Sequence, residues 1–580
     1  MSDDEKDLKA NLDRRAFLKG VAATGAIAAI TPAHSNAQTK TAAAKSWRDK
    51  PDPIDEKLIT DAGKFDIVVV GGGTAGVMCA RVAAMKGASV AVIEGQKEEK
   101  YRHIGGEVGT VNCQHNLDHG APRIDEEDFL REWARRNVIR HNPKRASYFV
   151  KNSGRILDWV IKDMSKEWLA ENSHSMSCPP KPGVLLEVSG WKFYFGTIIF
   201  RKMTDPTPVW RWTEVMKTHQ KKSLADGAKW FFDHHAEMCD VDGSGAVTGV
   251  VAKRSDGKYF RFNASKGVAL CAGDFSGDKQ MVIDILDLLR HQAEAEGDVN
   301  LVQTDRMKML PRDGSSIKLG IWAGGHIEIG PRSTLGAGDP GGEWYLQLDS
   351  NGERFCDEAA GTTMSVPKGG ITVSLCDANW QKALEMMPPK HGAPDTAHTI
   401  NWPARLKQFA DLKPGPPAPK KQAPGGETMM GGMTHCANTI EELLDYMDCY
   451  KGETRKKALA QIARYNELCE KGVDGDFGKD PRVLKVTPIK VPPFYGSVTR
   501  NDGKGMFGGI SPGLNATTGL DTDADGHVLN KEYKPIKGLY AAGNNAGNRY
   551  IVVYQSPLCG ISLGMAMTEG YMLGERLAAL

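Results

Sequence analysis

The run Asp66-Ile-Val-Val-Val70 passes directly into Gly71-Gly-Gly-Thr-Ala-Gly76, a junction that constrains the chain to a strand, a tight turn and a helix. The apolar stretch from Phe65 to Val70 is expected to be a buried strand. Gly71 permits the turn, Gly73 lets a pyrophosphate approach the backbone, and Gly76 allows close helix–strand packing, with Thr74 and Ala75 completing the loop. A helix is expected over Val77–Lys86 and a second strand over Ser89–Ile93, which makes a βαβ unit with a parallel sheet. The helix start offers free N–H groups and a positive dipole end to phosphates. Glu94 ends the second strand, where its carboxylate can accept hydrogen bonds from ribose hydroxyls. The alternative is a glycine-rich turn that binds nothing. Far along the chain stand Gly538-Leu-Tyr-Ala-Ala-Gly-Asn544 and a Gly/Ser-rich helix start at Gly560-Ile-Ser-Leu-Gly564. Taken together, the two ends hold one dinucleotide between distant segments. That pattern points to FAD and an oxidoreductase rather than to a simple NAD module.

The 580 residues carry a net charge of +2, so no global field favours nucleic acid. None of the 11 cysteines forms Cys-x-x-Cys or Cys-x-x-Cys-His, which argues against covalent c-type haem, iron–sulfur clusters and structural zinc within this chain. Most cysteines are expected to be small buried hydrophobes. At the N-terminus, Asp13-Arg-Arg-Ala-Phe-Leu-Lys19 precedes a weakly apolar run, Gly20 to Ile30, and then Ser35-Asn-Ala37. This order reads as a twin-arginine export signal over 1–37, cleaved after Ala37 and too short for a stable membrane anchor. Localisation outside the cytoplasmic membrane, reached through the Tat machinery, is the expectation.

Residues 38–64 are polar and charged and read as a linker. The expected fold is α/β, with a discontinuous Rossmann-like domain (65–278 and 489–580) interrupted by an inserted α+β capping domain (279–488). Residues 125–170 look helical. Val247–Ala252 and Tyr259–Phe262 look like a hairpin turning at Asp256-Gly257. Gly267–Ala272 is a further buried strand, ended by Gly273. Lys413–Gly432 reads as an exposed loop, and Thr439-Ile-Glu-Glu442 opens the next helix as a capping box. The last helix, about 561–578, is too polar for a membrane anchor.

Gly71–Gly76, Gly105-Gly106, Gly267–Phe275, Arg312-Asp-Gly314 with Ala323-Gly-Gly325, and Asn351-Gly-Glu-Arg-Phe355 follow one another in a specific order. Arg464-Tyr-Asn466, Asp476–Lys479, Pro492–Tyr495 and Gly538–Asn544 continue it. In these segments the chain resembles the FAD-dependent fumarate reductase / 3-ketosteroid dehydrogenase superfamily of flavoproteins. The resemblance implies FAD contacts by Gly71, Gly73, Gly76, Glu94, Gly105, Gly106, the backbone near Ala236, Gly273, Asn544 and the helix start at Ser562 and Leu563. It also implies that this last helix aims its positive end at the flavin N1–C2=O region and stabilises anionic reduced flavin. Substrate would lie between cap and isoalloxazine.

The chain departs from fumarate reductases at three places. No Arg follows Glu358 within Ala359–Ser365, the family His aligns near Asn515, and the late substrate-binding Arg falls at Pro557. These losses argue against fumarate as the acceptor. The ketosteroid-dehydrogenase Tyr aligns near Ser556. The run Gly547–Thr568 is more similar to exported flavin reductases that anaerobic bacteria use to respire unsaturated organic acceptors.

Reducing an activated C=C bond needs hydride at one carbon, a proton at the other, and donors or positive charge at the activating carbonyl. Tyr550, Tyr554 and Arg549 are the first candidates for proton donor and carbonyl clamp. Otherwise Tyr554 packs and Arg549 pairs with an acidic surface residue. His326, Arg332 and Tyr345 fall in the expected cap and either face substrate or serve as a buried His, a surface Arg and a core Tyr. Arg354 and Glu358 read as a structural ion pair. His115 and His119 read either as flavin or substrate contacts or as a solvated turn, and no metal site is expected. The leading expectation is an exported FAD-dependent ene reductase of an enone or α,β-unsaturated acid, supplied by a separate cytochrome c or quinol-linked donor. The alternatives are a 3-ketosteroid-type dehydrogenase running in reverse and an electron-transfer subunit without a substrate of its own.

Overall fold

The computed structural model describes residues 46–202, 210–302 except 296, 304, 310–330, 332, 334–335, 344–360, 370–389, 410–416, 434–500, 515–550, 554 and 557–580. The expected signal over 1–37 and most of the expected loop Lys413–Gly432 lie outside these residues. In chain order the principal strands are β1 (Ile59–Val70), β2 (Val90–Glu94), β3 (Glu107–Gly109), β4 (Ser173–Ser175), β5 (Thr197–Phe200), β6 (Lys229–Phe232), β7 (His234–Val241) and β8 (Val247–Arg254). They continue as β9 (Tyr259–Leu270), β10 (Leu346–Asp349), β11 (Ile371–Cys376), β12 (Thr434–Ala437), β13 (Phe494–Arg500), β14 (His527–Leu529) and β15 (Pro535–Ala541). The helices used below are α1 (Thr74–Met85), α2 (Glu126–Arg136), α3 (Pro143–Ile161), α4 (Trp212–Ala225), α5 (Ser315–Trp322), α6 (Ile440–Met447), α7 (Gly452–Lys471) and α8 (Ile561–Ala579).

The main sheet has the order β14-β15-β9-β1-β2-β6, with β8 paired antiparallel to β9, and β7 to β8. β1 runs parallel to both β2 and β9, as the continuous apolar run Ile67–Val70 requires for a strand covered on both faces. One face packs Val68, Val70, Leu270 and Ile317; the other packs Ile67, Val69, Ala75, Ala566 and Leu573 from α1 and α8. β15 joins this sheet parallel to β9, Val268 opposite Leu539 and Leu270 opposite Ala541, so a late segment of the chain returns to the sheet one strand away from β1. The small sheet β3-β5-β4 abuts α8: Gly109 N donates to Gly560 O at 3.0 Å, and Thr197 Oγ1 to Cys559 O at 2.7 Å.

A second, antiparallel sheet has the order β10-β11-β13-β12. One face buries Leu346, Leu348, Val373 and Leu375 against Leu443, Leu444, Ala458 and Ile462 of α6 and α7. The other buries Tyr345, Cys376, Cys436 and Tyr495 with Trp344 and Trp380. The capping box forms as expected, with Glu442 N on Thr439 Oγ1 and Thr439 N on Glu442 Oε2.

Three expected boundaries move. Phe494–Arg500, placed with the returning segment from 489, pairs with β11 in the second sheet, because its hydrogen bonds run to Ile371–Cys376. α5, placed in the cap, sends Ile317 and Leu319 into the main core. The linker ends before Trp47, whose ring is buried, whose Nε1 donates to Asp284, and whose carbonyl accepts from Trp322 Nε1. All 11 cysteines are free thiols, and all but Cys449 and Cys469 are buried. Among the described residues no helix is long and apolar enough to cross a membrane.

Candidate active site

The turn between β1 and α1 is built for a close ligand. Gly71 sits at φ +94°, and a Cβ there would lie 2.5 Å from Ala272 Cα, so only glycine fits. A Cβ on Gly76 would strike the Gly71 carbonyl, so the first turn of α1 packs directly on the strand end. Gly73 caps α1 without a side-chain hydrogen bond, leaving the positive helix end to a ligand. Thr74 Oγ1 accepts from Trp212 Nε1 at 2.9 Å, which ties the turn to α4. Ala75 packs in the core shared with α8.

Glu94 ends β2 as expected and is buried. Its Oε2 accepts from Gly72 N and its Oε1 from Gln96 N, both at 2.7 Å. Burial pushes its carboxyl up, and these backbone donors oppose that. Tyr101, which sequence reading missed, donates to Gly72 O at 2.6 Å and braces the same turn. Gly105 lies beside α8, where a Cβ would meet Leu563 Cδ2 at 3.4 Å, and Gly106 O accepts from Phe200 N at 2.7 Å. Ala236 is buried on β7 opposite Ala252. Gly273 follows β9 with φ +86°, and a Cβ there would meet no atom within 4 Å. An uncapped helix end, a carboxylate at the tip of β2 and open space at Gly273 are what a dinucleotide needs, and the residues present fit FAD.

β15 delivers the second half of the site. Ala542 N donates to Leu270 O at 3.1 Å, and Asn545 bridges to Leu270 O at 2.8 Å and Gly273 N at 3.3 Å. Asn544 Oδ1 accepts from Arg549 Nη2 at 2.9 Å and from Ser562 Oγ at 3.0 Å. α8 begins after Gly560, which is left-handed and offers no side-chain cap. Its Ser562 N donates to Tyr554 Oη at 3.1 Å. The structure therefore brings Asn544, Arg549, Tyr554, Ser562 and Leu563 together at one helix start.

Three sequence candidates sit elsewhere. Tyr550 is a core residue: it is 1% exposed, stacks on Trp133 at 6.1 Å, and points its hydroxyl at Met565 Sδ, 3.6 Å away. Burial, with Tyr554 beside it, pushes its phenol well up. Tyr345 is equally enclosed and donates to Trp380 O at 2.6 Å. His326 belongs with the main sheet rather than a cap, contacting Asp521 and Tyr533, while its Nδ1 lies 3.0 Å from Ile327 O. Arg332 reaches Asp287 at 3.3 Å. His115 and His119 stack with centroids 4.2 Å apart, and burial, then His119, pushes the His115 imidazole down to about 4. No group of three or more His, Cys, Asp or Glu side chains able to hold a metal occurs among the described residues. Arg354 and Glu358 do form a buried pair, at 2.8 Å.

Sequence reading also missed the charges that brace the 543–549 segment. Glu569 Oε2 accepts from Gly543 N at 3.0 Å, Arg145 donates to Gly547 O, and Glu328 accepts from Gly519 N at 3.0 Å and from Asn548 N. Burial raises Glu328 to about 7 against these donors and the nearby Arg549 and Arg145. Each is a single charged residue bonded to distant backbone, which leaves no local pattern to read.

The chain is 23% identical over 637 residues to a digoxin reductase of Eggerthella lenta, covering 99% of this chain and 98% of the relative. It is 24% identical over 568 residues to a vinyl phenol reductase of Lactiplantibacillus plantarum, covering 89% and 96% respectively. Its fold is that of the 3-ketosteroid-Δ4-(5α)-dehydrogenase from Rhodococcus jostii RHA1, solved with 4-androstene-3,17-dione. The TM-score is 0.63 at 18% identity, over 90% of this chain and 98% of that one. The family described as FAD binding domain matches residues 66–563. That span runs from β1 to the first turn of α8, the two ends the cradle requires, and the chain belongs to this family as an FAD-dependent oxidoreductase.

Proposed function

We propose that this protein is an exported FAD-dependent reductase that adds a hydride and a proton across an activated C=C bond of a small organic acceptor. An enone, a vinyl phenol or an α,β-unsaturated acid fits the reading. The observation that carries it is the meeting of Tyr554, Ser562, Asn544 and Arg549 at the start of α8, in a chain of this family. Both full-length relatives are named as reductases of organic compounds. The missing arginines of the dicarboxylate clamp turn the reading away from fumarate.

FAD, when bound, supplies the hydride from N5. Proton and charge then fall to the chain's own side chains. Tyr554 Oη accepts the Ser562 N–H, which holds a phenol at the start of α8 as the candidate proton donor. The same N–H and the positive end of α8 stabilise the phenolate left behind. Arg549, held at Asn544, adds positive charge on that side. The Arg14-Arg15 leader supports work outside the cytoplasmic membrane, with electrons from a separate cytochrome c or quinol-linked protein.

The test is anaerobic reoxidation of the chemically reduced, purified protein, followed by flavin absorbance. Acceptors would be vinyl phenols, cinnamate-type acids, urocanate, fumarate and steroid enones. Rapid reoxidation by one class, with a saturated product, is expected. Silence with all of them, but reduction of the oxidised protein by a saturated ketosteroid, would instead establish a dehydrogenase. Silence in both directions would leave an electron-transfer subunit.

A further inference from the structure

Arg549 is buried, 1% exposed, and its hydrogen bonds go to two neutral groups: Nη2 to Asn544 Oδ1 at 2.9 Å and Nε to Ala546 O at 3.1 Å. Its Nη1 is buried and has no hydrogen-bond partner among the described residues. Among the described residues no carboxylate lies within ion-pair distance of it. Glu328, which acts on it only at longer range, is already occupied by the Gly519 and Asn548 N–H groups. A buried guanidinium without a counter-charge is costly, because its lost hydration is not replaced. Such a group marks a place where negative charge arrives. The place is defined: Arg549 and Ser562 share one acceptor, and Ser562 is in the first turn of a 19-residue helix whose N-cap, Gly560, has no side chain.

The arginine also settles the orientation of Asn544. A guanidinium only donates, so the amide atom facing it must be the oxygen. Ser562 Oγ donates to that same oxygen. Among the described residues the Asn544 NH2 makes no hydrogen bond, which leaves it as a donor for a ligand. Without Arg549 the amide is free to turn over and present its oxygen instead.

We infer that Arg549 is a positioning residue for FAD: it holds the Asn544 amide as a donor and places an uncompensated positive charge at the start of α8, favouring the reduced, negatively charged cofactor over the oxidised one. This rests on FAD binding but not on any particular acceptor, so it can fail while the ene-reductase reading stands, and the reverse.

The experiment uses the full-length holoprotein and the variants Arg549→Met, Arg549→Gln and Arg549→Lys. It reads the FAD midpoint potential, FAD release on dilution and thermal stability. Arg549→Met should release FAD at least tenfold more readily. It should also lose about tenfold of its preference for reduced over oxidised cofactor, a fall of about 30 mV for a two-electron couple. Arg549→Gln is neutral yet still able to donate to Asn544; it should show the lower potential with FAD better retained, and it serves if the Met variant does not accumulate. Arg549→Lys should keep the potential. A merely structural arginine would instead lower melting temperature and leave the potential in place. A potential unchanged in both neutral variants would overturn the inference, even if turnover were lost, and would make Arg549 a substrate clamp.

Discussion

Glu358→Gln should be among the most damaging single-atom-scale changes in the chain. Glu358 and Lys479 are almost wholly inaccessible, and Arg354 and Asp474 nearly so. Arg354 bonds Glu358 through Nε at 2.8 Å and Nη2 at 2.9 Å, and Asp474 through Nη1 at 3.0 Å and Nη2 at 2.8 Å. Lys479 Nζ lies 3.2 Å from Glu358 Oε2 and donates to Trp344 O and Tyr465 Oη. Two cations and two carboxylates balance. Removing the Glu358 charge leaves a net buried cation, and the Lys479 contact alone is worth about 5 kcal/mol of Coulomb attraction at an effective dielectric near 20. Mutational precedent for breaking a buried pair gives about 3–5 kcal/mol, so that is the expected cost of Glu358→Gln. Lys479→Met should cost a similar amount. Combining the two restores neutrality and keeps the Arg354–Asp474 pair, so the double variant should recover about 1–3 kcal/mol relative to the sum. The assay is urea unfolding followed by both tryptophan fluorescence and far-UV circular dichroism, since non-coincident transitions would show the second sheet unfolding by itself. Single-variant costs below about 1 kcal/mol, or strictly additive costs, would refute the argument that these four groups act as one neutral unit.

Three further outcomes are expected. Tyr554→Phe should keep FAD and lose turnover by about 10²–10⁴-fold, as removal of a general acid does; normal turnover would move the proton donor elsewhere. Gly71→Ala should yield protein without bound FAD, read from its absorbance spectrum, because the added carbon meets Ala272 at 2.5 Å in a left-handed backbone. Glu328 is raised to about 7 in the fold, so the folded chain holds its proton to higher pH than the unfolded one. Stability from this group is therefore full below its unfolded value and is lost as pH rises toward 7; Glu328→Gln should flatten the melting temperature between about pH 5 and pH 8.

The βαβ unit was readable because its signals are local. An unbroken apolar run, glycines at the turn and an acidic residue at the next strand end all lie within one supersecondary motif. The hairpin through Asp256-Gly257 and the capping box at Thr439 were readable for the same reason. Tyr550 and Tyr554 show where local reading stops. They lie one helical turn's spacing apart in the same segment, yet one is stacked beneath Trp133 and the other reaches the Ser562 N–H. Their rings lie 4.8 Å apart, and what distinguishes them is that Trp133 of α2 stacks on Tyr550 while Tyr554 keeps its hydroxyl on the α8 backbone. The second sheet's border moved for an equivalent reason: β13 looks like any half-buried strand, and its sheet is decided by hydrogen bonds to a strand far earlier in the chain.

The braces around Gly543–Arg549 explain why the cofactor site needs the whole chain. Glu569 comes from α8, Arg145 from α3, Glu328 from the segment after α5, and Gly273 from the end of β9. Each holds a different backbone or side-chain group of one short turn, in which Asn548 adopts a left-handed conformation at φ 62°. A non-glycine residue keeps that conformation only where its surroundings over-determine it. Four elements separated in sequence thus hold still the loop that carries Asn544 and Arg549, so the site's donors are already in place before a ligand arrives. The unpaired guanidinium is the exception, and an exception in an otherwise satisfied loop is where the function should be sought.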